Sequence, residues 1–272
     1  MSVFDSIGYW SELKLQIVRK YATAYSTILS AQRNLYHLYV DAFAGGGMHQ
    51  SRTTGEMVLG SPLNALHVFP PFREYHLIDL DGEKASSLRS LVSDRHDVHV
   101  HEGDCNTVLL RDIFPRLRYE DYRRGLVLLD PYGLDLDWQV ASTAGQLGTV
   151  DMFLNFPVLD MNRNVLWREP GKVDAGDIGR MTRFWGDESW RSVAYTTESN
   201  LFGWPEKLPN EVIAEAFRQR LRRVAKFSHV PDPLPMRNSN NAIVYYLFFA
   251  SQKDTANRIV TDIFETYRNR QS

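Results

Sequence analysis

Cysteine is nearly absent: Cys105 is the one thiol in 272 residues. No disulfide can form within the chain, so a bridge-stapled scaffold is excluded and a reducing, cytoplasmic setting is expected. Long apolar runs are missing as well. Nothing approaches the roughly 18 consecutive apolar residues that cross a bilayer, so no membrane association is expected. Met1 to Glu12 shows no basic segment followed by an apolar stretch, and no signal peptide is expected there. Charge of one sign is lacking, since 31 Lys+Arg face 33 Asp+Glu and leave a formal net charge of −2. That balance removes any global pull toward nucleic acid and confines such binding to a local patch. Internal repeats, low-complexity runs and Pro/Gly/Ser-rich linkers are absent too. What remains is globular: 43% hydrophobic, 24% charged and 12% aromatic residues, the last far too many for a disordered chain. The length allows a large core in one α/β domain or two small ones.

Short apolar runs alternate with amphipathic stretches. An opening helix is expected from Ser11 to about Ala31, with Leu13, Ile17, Tyr21, Ala24 and Ile28 on one face. Five strands follow: Leu35–Phe43, Tyr75–Leu80, Val98–His101, Leu126–Leu129 and Val150–Phe156. Each is followed by a helical pattern, and Ser61-Pro62 reads as an N-cap and first helical residue. Five βα units in a row predict a doubly wound, mostly parallel α/β sheet with helices on both faces. The last third predicts a helix from Asn210 to about Val224. Strands at Lys226–Val230 and Ala242–Ala250 and a closing helix from about Lys253 to Tyr267 complete it. No linker precedes this part, so 1–272 reads as a single domain with an irregular insert at 158–207.

The first strand runs into Tyr39-Val40-Asp41-Ala42-Phe43-Ala44-Gly45-Gly46-Gly47. A glycine turn at a strand end lets a nucleotide-like ligand approach the backbone. The Gly-x-Gly-x-x-Gly spacing of a pyrophosphate site is absent, and an acid, Asp41, stands four residues before the first glycine. A carboxylate there suits a cationic ligand such as S-adenosylmethionine, with its sulfonium and ammonium. Asp79 closes the second strand, where it is placed to accept ribose hydroxyls. Asp81 reads as a helix cap. Asp104 follows the third strand, placed for an adenine amino group or for an N-cap, with Cys105 beside it. The expected cofactor shell is Asp41, Phe43, Ala44, Gly45, Gly47, Asp79, Leu80, Asp104 and Cys105.

The fourth strand ends in Asp130-Pro131-Tyr132-Gly133, which resembles the Asp/Asn-Pro-Pro-Tyr motif of amino-methyltransferases without its second proline. By that resemblance Asp130 and the Pro131 backbone orient a nitrogen acceptor and Tyr132 stacks on it. A plain Asp-Pro turn is the structural alternative. Asn155-Phe156-Pro157 ends the fifth strand at the same edge, making Asn155 and Pro157 substrate-side candidates.

With Gly60-Ser61-Pro62 and Tyr245 to Ser251, these landmarks resemble a class I S-adenosylmethionine-dependent methyltransferase. More closely they resemble the three-Cys-motif partner proteins, bacterial and methyltransferase-like. The resemblance implies a Rossmann-like methyltransferase sheet with an added N-terminal helix and an insert between strands five and six. It implies S-adenosylmethionine as cofactor and methyl transfer, with N-methylation of a nucleic acid or small molecule as the reading and a non-catalytic cofactor-binding partner module as the alternative. A three-cysteine iron–sulfur or radical-type protein is its implied partner. Met48–Gly60 departs from ordinary methyltransferases by inserting about a dozen residues after the glycines, with Arg52, Thr53 and Thr54 expected to be exposed.

Other groups carry less. His99 and His101 alternate on one strand face with His96 just before them, but a third ligand and a placed carboxylate are missing at any recognisable spacing, so no metal is expected. The basic clusters Arg111, Arg116, Arg118, Arg123, Arg124 and Arg218, Arg220, Arg222, Arg223, Lys226 would serve nucleic acid only if they bordered the Asp130 crevice. Trp167, Trp185, Trp190 and Trp204 are candidates for a pocket wall, with core packing the expected use of at least two.

Overall fold

The computed structural model describes residues 5–52, 54–197 and 204–271, so Thr53 lies outside the described residues. In chain order the first elements are β1 (Asp5–Ile7), α1 (Tyr9–Ser30), β2 (Tyr36–Asp41), β3 (Met48–Ser51), β4 (Met57–Leu59) and α2 (Ser61–Leu66). Next come β5 (Glu74–Asp79), α3 (Gly82–Leu91), β6 (Val98–Glu102), α4 (Cys105–Val108), β7 (Arg123–Leu129), α5 (Trp138–Leu147) and β8 (Val150–Phe156). The last third holds α6 (Val158–Asn164), α7 (Ala175–Trp185), α8 (Trp190–Ala194), β9 (Tyr195–Thr196), β10 (Glu206–Lys207), α9 (Asn210–Arg223), β11 (Leu234–Arg237), β12 (Ile243–Ala250) and α10 (Asp254–Gln271).

The central sheet has seven strands in the order β11-β12-β8-β7-β2-β5-β6. Its five βα strands are parallel, and β12 runs antiparallel between β8 and β11. Side chains alternate between two cores, as the two-residue period of a strand requires. Leu38, Val40, Val127, Leu129, Met152 and Leu154 face the layer of α5 and α9. Tyr39, Leu126, Leu128, Phe153 and Phe249 face α1 and α10. Because both faces are covered, Leu126–Leu129 of β7 and Met152–Leu154 of β8 read in the sequence as short apolar runs. Among the described residues, no helix is long and apolar enough to cross a membrane.

Three local readings are corrected. Ser61 is the first helical residue of α2, not its N-cap; Gly60 holds the cap position without a side-chain bond. Lys226–Val230 is not a strand of the sheet. Part of its backbone is satisfied by side chains, since the Gln252 carbonyl accepts Ser228 N–H at 3.2 Å and Arg218 Nε donates to the Val230 carbonyl at 2.7 Å. Only His229 forms a bridge, with Ser251. The partner of β12 is Leu234–Arg237, within the stretch read as a Pro/Asn-rich connection; Pro235 is tolerated there because β11 is an edge strand. In the insert after the glycines, Met48–Ser51 (β3) and Met57–Leu59 (β4) pair antiparallel, extended by β1, which pairs parallel to β3. Trp185 and Trp190 are buried in the core, whereas Trp167 and Trp204 are exposed.

Candidate functional site

From β2 the chain turns toward β5 and β6, and from β7 toward β8, on the opposite side. The crevice at the carboxyl ends of β2 and β7 is therefore the topological switch point, where open α/β sheets leave room for a ligand. Asp41 closes β2 and Asp130 follows β7, with the Ala42 amide donating to the Leu128 carbonyl at 3.0 Å. After β2, Gly45 and Gly47 take φ of +65° and +89°, which side chains rarely tolerate. Around the Gly45 Cα the space is open, the nearest atom to an added Cβ being 3.8 Å away on His49. Asp79 anchors this turn: one of its oxygens accepts the Gly45 N–H at 2.7 Å and the other the Asp81 N–H at 2.9 Å.

A cavity of about 400 Å³ opens over the switch point. Of the residues named from the sequence it brings together Phe43, Gly45, Asp130, Pro131, Tyr132 and Asn155. His49 and Arg52 in its wall belong to the Met48–Gly60 insert singled out in the sequence, whereas Trp10, Lys14, Ser61 and Tyr245 were not read as site residues. Lys14 is the decisive addition. Its side chain is 8% exposed, its ammonium donates to one oxygen of Asp130, and it stands 5.5 Å over the Tyr245 ring. Among the described residues no donor reaches the other Asp130 oxygen. A carboxylate so held presents one acceptor position to the cavity. One signal for Lys14 was available: a cation inside the buried stripe of α1, one turn after Trp10 and one before Val18.

Two further acceptors are buried without partners, Asn155 Oδ1 and Asp41 Oδ2. Asp41 has no exposure and does not itself line the cavity. Burial pushes its carboxyl up to about 7; the Ser61 hydroxyl pulls it down, the Asp130 charge raises it, and the Phe43 amide and Lys14 lower it. Orphaned buried acceptors are uncommon in native proteins and mark a place where a donor or cation is due.

The remaining named residues lie beside or beneath this cavity. Ala44 packs with Leu77 and Leu88, and Pro157 caps α6. On the adjoining rim Leu80 is 75% exposed. Asp81 caps α3 through the Glu83 and Lys84 amides. Asp104 caps α4, accepting Thr107 N–H at 2.9 Å and the Thr107 hydroxyl at 3.0 Å. Burial first, then the Asp104 and Asp137 charges, push the Cys105 thiol up to about 12, so it is no nucleophile at neutral pH.

The chain matches no family model and no curated protein sequence. Its structure is similar to that of protein LPL1258 from Legionella pneumophila, of family DUF519. The TM-score is 0.55 and the identity 12%, over 93% of this chain and 91% of that one. It also aligns with the putative methyltransferase YhhF from Escherichia coli, at TM-score 0.34 and 10% identity over 86% and 87% of the two chains. The methyltransferase domain of bacterial CtHen1 aligns at TM-score 0.41 and 10% identity, over 86% and 99%. The fold is a Rossmann-like, mostly parallel α/β sheet.

Within that fold the basic clusters are spent elsewhere. Arg123 and Arg124 open β7, at the end opposite Asp130. Arg116 and Arg123 pair with Glu74, Arg218 with Glu215 and Asp232, and Arg220 with Asp187. His76, His99 and His101 form a stacked column, with His76 and His99 facing Glu74.

Proposed function

We propose that this chain is an S-adenosylmethionine-dependent methyltransferase acting on a nitrogen. The carrying observation is one cavity at the switch point that joins the open glycine turn to the Asp130-Pro131-Tyr132 wall. The residues present fit the cofactor: an orphaned, buried Asp41 oxygen lies where a cation is due, and the Gly45 turn admits a close neighbour. Asp79 and the exposed Leu80 on the adjoining rim would hold ribose and adenine, with Asp104 at its far side. When bound, the cofactor supplies an electrophilic methyl group on a sulfonium.

The chain's own residues then orient the acceptor. The free oxygen of Asp130 takes an N–H of the incoming nitrogen, the Pro131 backbone borders it, and Lys14 fixes the Asp130 carboxylate. Tyr132, 77% exposed, flanks the acceptor plane, and the orphaned Asn155 oxygen receives a second donor. Catalysis of this kind is mainly positioning, which supplies much of the barrier reduction when donor and acceptor are aligned.

The proposal extends to membership of the three-Cys-motif partner proteins and a place for the chain beside a three-cysteine protein. A second reading, cofactor binding without transfer, draws on the Lys14–Asp130 pair, which already occupies one Asp130 oxygen. Calorimetric titration with S-adenosylmethionine and with NAD, followed by transfer of a labelled methyl group to nucleosides, RNA and small amines, tests both. The enzyme reading expects S-adenosylmethionine to bind, Gly45→Val to abolish binding, and Asp130→Ala to bind but not transfer. Binding of NAD alone sinks the cofactor assignment. Biological activity that survives Asp130→Ala yet is lost in Gly45→Val selects the second reading.

A further inference from the structure

A second cavity, of about 470 Å³, lies at the amino ends of the strands. Arg124 lines it near the start of β7, whereas Asp130 lies six residues further on, about 20 Å along an extended strand. This cavity is distinct from the candidate active site, and nothing in the proposed reaction uses it. Its volume falls in the roughly 300–1,000 Å³ range of small-molecule sites.

Its walls have two characters. Tyr25, Ile28, Leu29 and Ile259 from the helices, with Tyr119 and Tyr122 from the turn before β7, give an apolar and aromatic lining. Tyr119 and Tyr122 are each 57% exposed at its mouth. The charged lining is Arg124, Lys253 and Asp151. Neither Arg124 nor Lys253 has an ion-pair partner among the described residues, although Arg116, Arg118 and Arg123 nearby all have one. The Arg124 guanidinium lies 4.3 Å over the Tyr119 ring and gives one N–H to the Arg123 carbonyl at 2.7 Å. It keeps further donors unspent.

Asp151 is engaged by two hydroxyls and forms no ion pair among the described residues. It is 9% exposed, and its oxygens accept the Tyr21 hydroxyl at 2.6 Å and the Ser251 hydroxyl at 2.5 Å. Burial raises its pKa, against the Ser251 and Tyr21 hydroxyls and the Lys253 charge, which lower it.

We infer that this cavity binds a small organic anion: a carboxylate or phosphate head held by Arg124 and Lys253, on an apolar body of aromatic size packed against Tyr25, Tyr119 and Tyr122. An unpaired, half-buried guanidinium offers charge-assisted hydrogen bonds that such a head completes. The tyrosine rings supply area with little conformational freedom to lose.

The test is calorimetric titration of the whole chain with 3-phenylpropionate, phenyl phosphate and 2-phenylethylammonium. The two anions are expected to bind saturably, at least about tenfold tighter than the ammonium. Tight binding by one anion alone assigns the head as carboxylate or phosphate. Arg124→Gln is expected to weaken the anion about tenfold, Lys253→Gln less, and Tyr122→Ala several-fold through the body. All three positions are exposed or half-exposed, so a melting curve that matches the unsubstituted chain separates lost contact from lost fold. Binding that persists in Gly45→Val separates this cavity from the other one. Equal or tighter binding of the ammonium overturns the inference. So does anion affinity unchanged by Arg124→Gln, or no saturable heat for either anion up to about 10 mM.

Discussion

Asp41→Asn isolates the electrostatic tension at the base of the candidate site. In the native protein this carboxyl has no exposure, and its pKa stands at about 7 against an ordinary 3.8. Below pH 3.8 the group is protonated in both folded and unfolded chains and affects neither. From there to about 7 the unfolded chain releases its proton while the native state keeps it, so stability falls as pH rises. The gap is about three pKa units, which at 1.36 kcal/mol each is about 4 kcal/mol in all, of which about 3 kcal/mol falls between pH 5 and 8. Asparagine fills the same space without titrating. Urea unfolding followed by the fluorescence of the six tryptophans, at pH 5, 6.5 and 8, reads the difference. The variant should gain about 3 kcal/mol on the unsubstituted chain between pH 5 and 8, whatever constant offset the amide brings. A difference that stays flat across those pH values would refute a carboxyl held above its ordinary pKa by burial. If the cofactor places a cation there, binding should release protons near pH 7, read as a buffer-dependent heat, and Asp41→Asn should lose that release.

Lys14→Met removes the cation from Asp130, whose side chain is 24% exposed; it should lower stability by about 2 kcal/mol and abolish methyl transfer while leaving cofactor binding. Denaturant unfolding and titration on the same preparation check both parts. Gly145→Ala should cost about 3 kcal/mol or more in a melting experiment, because the added Cβ would stand 2.0 Å from the Ala225 carbonyl oxygen, a backbone atom that cannot swing away. Glu74 is 5% exposed. Burial opposes its charge, but His76, Arg116 and His99 outweigh that and hold its pKa below 4.5. Its contribution is present above pH 4.5 and lost as pH falls through the lowered value, so Glu74→Gln should cost about 3 kcal/mol at pH 7 and progressively less in acid.

The central parallel strands were legible because the sheet there is buried on both faces, which leaves short apolar runs such as Leu126–Leu129 with no competing helical period. Val150–Phe156 has the same bounds in sequence and structure. The far edge was not legible. Phe227 and Val230 are buried, so Lys226–Val230 carries an apolar pattern, yet it forms a single bridge at His229, with Gln252 and Arg218 side chains taking neighbouring backbone groups, rather than a ladder. Pro235 made the true edge strand read as a connection, though an edge is the one place in a sheet where proline costs little. Ser61 precedes Pro62 as a capping serine would, but it lies against Asp41, where its hydroxyl lowers a carboxyl instead of closing a helix.

The site divides along the same physical line. Gly45, Asp130 and Asn155 each follow or end their own strand, so chain order alone carried them to one rim. Lys14 comes from 116 residues away, and only the packing of α1 across the sheet brings it there. That packing is fixed at a second point: Tyr21, two turns later on the same helix face, donates to Asp151 in the core. The cation at Asp130 thus depends on a helix held by its contacts with Phe153, Phe249 and α10. A change that loosens the Tyr21–Asp151 bond should shift Lys14 before it disturbs Asp130 itself. The N-terminal helix then belongs to the chemistry of the site as much as to its cover, since it carries the charge that holds the Asp130 carboxylate in place.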